Sequence, residues 1–245
     1  MKNLEWIKTG LIAHRGLHTK DKSVPENSAE AFRLAIAKGY GIECDINLMK
    51  DGTIVVFHDK DLNRLCGKDG LLMELNYEDI QDLTLFSSQE KILRLEDFLA
   101  LVGGKVPLLI ELKNHGQNDR MCENFMKIMD TYQGVWAMHS FHPFTVKWFH
   151  DHRPEVIRGI ISEYFRDDDS LKKITKWLLK RLFFSFLNQP DFINYGIKDM
   201  PNRFLNRAMR KGTIVIAYAS RSQAEFDFVK QHYHNSVFEF FEPLH

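Results

Sequence analysis

Short apolar runs alternate with amphipathic stretches along nearly the whole chain. The runs are LIAH at 11–14, GIECDI at 41–46, TIVVFH at 53–58, VPLLIELK at 106–113, GVWAMHS at 134–140, VIRGII at 156–161, FINYGI at 192–197 and TIVIAYA at 213–219. Between them, ENSAEAFRLAIAKG at 26–39, LRLEDFLALV at 93–102 and a stretch near 118–131 carry helical spacing. This alternation predicts an α/β fold in which parallel strands are wrapped by helices. Neither a fixed-period repeat nor a low-complexity segment interrupts it, and only residues 60–92 lack clear regularity, so an insertion over one face is expected there. At 245 residues, 44% of them hydrophobic, the chain is long enough for one large core, and a single domain over 1–245 is expected.

The first long helix has a readable start. Pro25 stiffens its entry, Asn27 is placed to cap the first free amides, and Glu30 lies three residues on, where a reciprocal cap would put it. Capping is therefore the favoured role for Asn27; steadying the neighbouring His14 loop is the alternative for Glu26 and Asn27. Residues 171–187, LKKITKWLLKRLFFSFL, place Lys172, Lys176 and Lys180 on one helical stripe and Leu171, Ile174, Leu178 and Leu182 on another. A helix packed on the fold with a wet basic edge is favoured there over contact with a membrane.

Charge changes the picture by what it excludes. Lysine and arginine together number 33 and aspartate and glutamate 33, so no global field draws the chain to nucleic acid. Cys44, Cys66 and Cys122 have no paired spacing and read as reduced packing thiols, which points to the cytoplasm. MKNLEWIKTG lacks the apolar core of a secretory signal, and no run approaches the roughly 20 apolar residues that span a bilayer.

Candidate chemistry collects at strand ends. His14 and Arg15 come directly after Leu11–Ala13, and Gly16 permits a sharp turn beyond them. Glu43 and Asp45 are two apart on a strand and share a face, where two neighbouring anions call for a hard divalent cation. Asp51-Gly52 has hairpin chemistry, and a two-residue turn there pairs Lys50 with Thr53 and sets Asp45 opposite His58. Glu111 and Lys113 share a face at the end of VPLLI, either as a private ion pair or as a further metal ligand beside an anion-facing lysine. HSFH at 139–142 lacks the partners of a zinc site, and its histidines read as surface or loop residues.

Taken in order, HRG, PENS with AF four residues on, ExD, KDGTIVVFHD with L-N-R just after it, LEDFL and ELK closely resemble the glycerophosphodiester phosphodiesterase family over residues 11–113. From Ser140-Phe141 onward the match thins. The resemblance implies a TIM-type (β/α)8 barrel with a small insertion after the second histidine, and an active site at the carboxyl ends of its strands. It implies His14 and His58 as the acid and base pair and Arg15 and Lys113 as phosphate contacts. Glu43, Asp45 and Glu111 would hold one divalent cation, Mg2+ or Ca2+. The implied reaction converts a glycerophosphodiester to glycerol 3-phosphate and an alcohol, with attack by the adjacent glycerol hydroxyl and then opening of the cyclic phosphate. Lysophospholipase D-type activity, or a phosphodiester-binding barrel without turnover, are the alternatives. Retention of both histidines favours catalysis, since binding alone needs no proton-transfer pair. Two departures stand out. IAYASRS carries Tyr218 where family members have a tryptophan lining the glycerol pocket, so Tyr218 is either a substrate contact or a core residue, and NSVFEFFEPLH lacks the usual ITDYP-like ending.

Overall fold

Apolar residues at strand and helix spacing form the elements they predict in the computed structural model, which describes residues 2–244. These fall into two compact units, one of residues 12–136 and one that joins the chain before Ile12 to the chain from Ala137 on. A short helix, α1 (Glu5–Thr9), opens the chain and belongs to the latter.

The unit of residues 12–136 begins with β1 (Ile12–Ala13), α2 (Ala29–Ala37), β2 (Gly41–Leu48) and β3 (Ile54–Val56). After α3 (Asn63–Cys66) and α4 (Tyr77–Ile80) come β4 (Leu93–Arg94), α5 (Leu95–Val102), β5 (Leu108–Leu112) and α6 (Asn118–Met129). β1, β2 and β5 pair in parallel, with Ile12 beside Gly41 and Asp45 beside Glu111. β3 returns antiparallel onto the end of β2, and β4 pairs with β3.

The hairpin forms, but one residue out of the expected register. Ile46 faces Val56 and Leu48 faces Ile54, so Asp45 stands opposite Phe57 rather than His58. The cause is a three-residue loop, Lys50-Asp51-Gly52, closed by the Met49 amide donating to the Thr53 carbonyl at 2.9 Å. Gly52, at φ +95°, supplies the left-handed residue such a loop requires. Residues 60–92 are short helical turns and isolated bridges, yet they are not loosely attached. Leu62, Leu65, Leu72, Ile80, Leu85 and Ile92 form a buried cluster with Met49, Val55 and Phe57 of the hairpin.

The other unit continues with β6 (Trp136–Ser140), α7 (Pro143–His152), β7 (Arg158–Ser162), α8 (Lys173–Leu179) and α9 (Ser185–Asn188). It ends with β8 (Phe192–Gly196), α10 (Arg203–Arg210), β9 (Ile214–Ser220), α11 (Gln223–His232) and β10 (Asn235–Phe238). From β6 to β10 each strand pairs in parallel with its predecessor. Val146, Ile160, Ile193, Leu205, Val215 and Val229 bring helix and strand faces into one core. His139 is not a surface residue: it is fully enclosed on β6, its ring 6.2 Å from that of Phe192. The expected helix at 171–187 is broken into α8 and α9; α8 has no fully buried residue, and Leu182 between the two packs on the core. Among the described residues, no helix is long and apolar enough to cross a membrane.

Candidate active site

β1 is only two residues long, and it runs straight into a backbone turn of unusual conformation. Arg15 (φ +56°) and Gly16 (φ +77°) are both left-handed, and a Cβ on Gly16 would lie 2.9 Å from the Ala31 backbone of α2. Only glycine lets the loop press this closely on the helix. Left-handed backbone in a long side chain such as Arg15 is costly and persists where its surroundings hold it. Here the Arg15 amide donates to Glu43 Oε2 at 3.1 Å, and its carbonyl accepts from the Asn27 amide at 3.0 Å.

Asn27 is itself left-handed (φ +55°), and it does not cap α2. Ser28 does, its hydroxyl accepting from the Ala31 amide. Displaced from that task, the Asn27 amide group donates to Asp45 Oδ2 at 3.0 Å. Proline before Glu26 and serine after Asn27 thus build the helix entry, and the two residues between them serve the site.

Glu43 and Asp45 are buried on β2, and Glu111 sits beside Asp45 on β5. Lys113 bridges two of the three, its Nζ 2.9 Å from Asp45 and 2.6 Å from Glu111. The guanidinium of Arg15 lies between Asp45 at 3.2 Å and Glu26 at 2.6 Å. His14 Nε2 stands 3.8 Å from Glu43. His58, just past β3, meets Asp59 through Nδ1 at 2.6 Å, and buried Asn47 holds that loop by donating to the Phe57 carbonyl at 2.8 Å. All seven residues from His14 to Lys113 expected to share chemistry are therefore in one unit. Tyr218 belongs to the other unit, where its hydroxyl meets Glu163 at 3.1 Å and its ring stands 5.7 Å, edge on, from Phe141. It is half-buried rather than core.

The charges explain the perturbed acidities. Burial, reinforced by repulsion from Asp45, pushes Glu43 up to about 7. Asp45 is buried too, but Lys113, His58 and Arg15 overcome the desolvation and hold it well below the usual range. Burial alone would lower Arg15 and Lys113, yet the carboxylates around each raise both. Burial lowers His58, against the attraction of Asp45. Five carboxylates, Glu26, Glu43, Asp45, Asp59 and Glu111, are set against three permanent cations, Arg15, Arg64 and Lys113. Glu43 and Glu111 are both buried and offer oxygens within 4.8 Å of each other, a donor set that fits one hard divalent cation, while Lys113 bridges Glu111 to Asp45.

A model of the glycerophosphoryl diester phosphodiesterase family matches residues 14–238. The chain belongs to that family. Its matched segment shares 38% identity over 116 residues with a glycerophosphodiester phosphodiesterase of Caldanaerobacter subterraneus, covering 44% of this chain and 46% of that protein. With a glycerophosphodiester phosphodiesterase of Bacillus altitudinis the identity is 31% over 170 residues, 63% of this chain and 66% of that one. The matched segments thus span about half to two thirds of these curated relatives. In structure, the phosphodiesterase-family chain superposes on an Oleispira antarctica phosphodiesterase solved with sn-glycerol-3-phosphate, at TM-score 0.80 and 20% identity over 96% of this chain and 94% of the other. That likeness shows the fold to be a TIM-type barrel of eight parallel strands.

Two residues tied into this cluster, Arg64 and Asp59, escaped the sequence reading. Arg64, on α3, grips Asp59 through Nε at 2.7 Å and Glu26 through two bonds of 2.8 Å. A continuous chain therefore runs from Arg15 through Glu26, Arg64 and Asp59 to His58. Its sequence signals were the aspartate beside the histidine and the arginine of L-N-R, read only as parts of a motif.

Glu26 gives this chain a measurable signature. Burial opposes its ionisation, but hydrogen bonds from Arg64 and the charge of Arg15 bring it down to about 2. A depressed carboxylate stabilises the fold fully above its unfolded pKa, near 4.5, and that contribution is lost as pH falls toward 2. Glu26→Gln is expected to cost about 3 kcal/mol at neutral pH, because two guanidiniums each lose one of their two carboxylates. The gap in urea midpoint between wild type and variant should shrink as pH drops from 4.5 toward 2; a gap independent of pH would refute the assignment.

Proposed function

We propose that this protein hydrolyses glycerophosphodiesters to glycerol 3-phosphate and an alcohol. The observation that carries the reading is the placement of two histidines against the two acids of one strand: His14 near Glu43, and His58 within the field of Asp45. Substrate carrying a phosphodiester anion repels nucleophiles until its non-bridging oxygens are neutralised, and Arg15 and Lys113 supply fixed positive charge for that purpose. One histidine takes the proton from the glycerol hydroxyl that attacks phosphorus and the other returns a proton to the departing alkoxide; with these roles exchanged, water then opens the cyclic phosphate to glycerol 3-phosphate. Arg15 and His58 are tied into one network, so charge neutralisation and proton transfer are held in register by the same side chains.

Glu43, Asp45 and Glu111 would hold a single Mg2+ or Ca2+, which when bound supplies Lewis acidity toward the phosphoryl oxygens. Tyr218 is proposed as an aromatic contact for the glycerol moiety, in line with its half-buried ring. The phosphodiesterase domain is proposed to run through 1–245, with 60–92 as an insertion carrying Arg64. Free thiols at Cys44, Cys66 and Cys122 support a cytoplasmic location. The Oleispira protein was solved with its product sn-glycerol-3-phosphate, the product expected of this chain.

The test is a panel of glycerophosphodiesters and lysophospholipids, with glycerol 3-phosphate measured before chelation, after it, and after metal add-back. Release from the deacylated diesters that stops in EDTA and returns with Mg2+ or Ca2+ is the expected result. Undiminished activity in excess EDTA would overturn the metal assignment, and turnover confined to lysophospholipids would overturn the substrate class.

A further inference from the structure

Cations without anions dominate one stretch of a chain whose total charge is zero. From Ser170 to Pro190 there are five lysines and arginines and no carboxylate, the acidic run at 167–169 having ended just before. From Met200 to Ala224 the same holds, with Arg203, Arg207, Arg210 and Lys211 on or beside α10. Lys172, Lys173, Arg181, Arg207 and Lys211 each lack a carboxylate within ion-pair distance among the described residues.

Large apolar side chains stand in the same place. Ile174 is 61% exposed, Trp177 41%, Phe183 51% and Phe186 64%. Phe183 packs edge on against both Phe184 and Phe186, and Phe184 continues to Phe144 of α7, itself 51% exposed, so the rings form one patch. The patch is not loose chain: the Ser162 hydroxyl donates to the Leu179 carbonyl and the Tyr195 hydroxyl to that of Lys180. Between α9 and α10 lies a groove of about 530 Å3 with Phe183, Phe186 and Phe204 on its lining beside Arg181, Arg207 and Lys211. Arg181 stacks on Trp177 at 3.9 Å, and its Nε is enclosed with no hydrogen-bond acceptor.

Contiguous exposed apolar surface of this kind marks an interaction site. We propose that the face of α8, α9 and α10 docks on an anionic lipid bilayer. Aromatic rings set among lysines and arginines satisfy both parts of such a surface, the rings entering the acyl boundary and the cations meeting lipid phosphates. A second copy of the chain is a poor occupant, because a two-fold contact would bring the like charges of the patch against each other. Nucleic acid would use the cations but leaves the aliphatic and aromatic projection of Ile174, Phe183 and Phe186 unexplained.

The experiment is co-flotation of the full chain with vesicles of phosphatidylcholine alone and of phosphatidylcholine mixed with phosphatidylglycerol. The wild type is expected to float with the mixed vesicles and to be released by salt. Lys172→Gln with Lys173→Gln should lower the partition roughly twenty-fivefold, at about fivefold per cation. Phe183→Ser with Phe186→Ser should lower it at least tenfold, each ring adding apolar burial at the interface. All these positions are exposed, so the unfolding midpoints of both variants should match wild type, which separates lost docking from lost folding. No binding to mixed vesicles, binding that survives either double variant, or preferential binding of a single-stranded oligonucleotide would overturn the proposal, as would concentration-dependent dimerisation that both variants abolish.

Discussion

Replacing either His14 or His58 with alanine is expected to lower turnover of a glycerophosphodiester about a thousandfold while leaving the unfolding midpoint within a degree or two of wild type. General acid and base catalysis each contribute on the order of 10²–10⁴ to a rate. Neither ring is part of the apolar core, and both sit on loops that other residues hold: the backbone of Arg15 by Glu43, that of Phe57 by Asn47. Each ring still borders solvent, so water can take the space it leaves, and its removal deletes a proton carrier more than it disturbs the core. The double variant distinguishes a shared step from two independent ones. If one histidine withdraws a proton as the other donates one, the losses do not add, and the double variant should be about as slow as the worse single variant. A near-normal kcat in either single variant would reject the pair, whereas independent, multiplying losses would assign the histidines to separate steps.

The residues that carry this chemistry were legible because their pattern is local. Glu43 and Asp45 share a face through the two-residue period of a strand, and Asp45 meets Glu111 because parallel β2 and β5 place them side by side. What was not legible depended on single-residue geometry. The hairpin carries three loop residues rather than two, which shifts its register by one, and no propensity argument separates those turns when both end in Asp-Gly. Asn27 and Ser28 are both good caps; tertiary contact with Asp45 claimed the first and left the helix to the second. Arg64 reaches Glu26 across 38 residues of sequence, a separation at which an ion pair leaves no periodic trace. The 171–187 segment was legible only in part. Its apolar stripe has helical spacing, but spacing tells which residues share a face and not whether anything covers that face.

Glu43→Gln is expected to abolish activity and, at the same time, to stabilise the metal-free protein. The direction of the pKa shift sets the sign. Burial and Asp45 raise the folded pKa of Glu43 to about 7, above the ordinary carboxylate value of 4.5, so ionisation is harder in the folded than in the unfolded chain. The resulting penalty is absent below pH 4.5, grows as pH rises to 7, and then levels at about 3 kcal/mol. Glutamine keeps an oxygen to accept from the Arg15 amide, as Glu43 Oε2 does now, but carries no charge to bury. In EDTA, the variant should thus exceed wild type in urea midpoint at pH 8 and match it near pH 4.5. A divalent cation reverses the order, since an ion that binds only the folded state stabilises it by an amount set by its concentration relative to Kd. Wild type should gain stability on addition of Mg2+ or Ca2+, and Glu43→Gln, having lost one of three ligands, much less. If the variant is instead destabilised in EDTA at pH 8, Glu43 does not carry the burial and Asp45 repulsion that raise its acidity, and the case for a cation beside it fails as well.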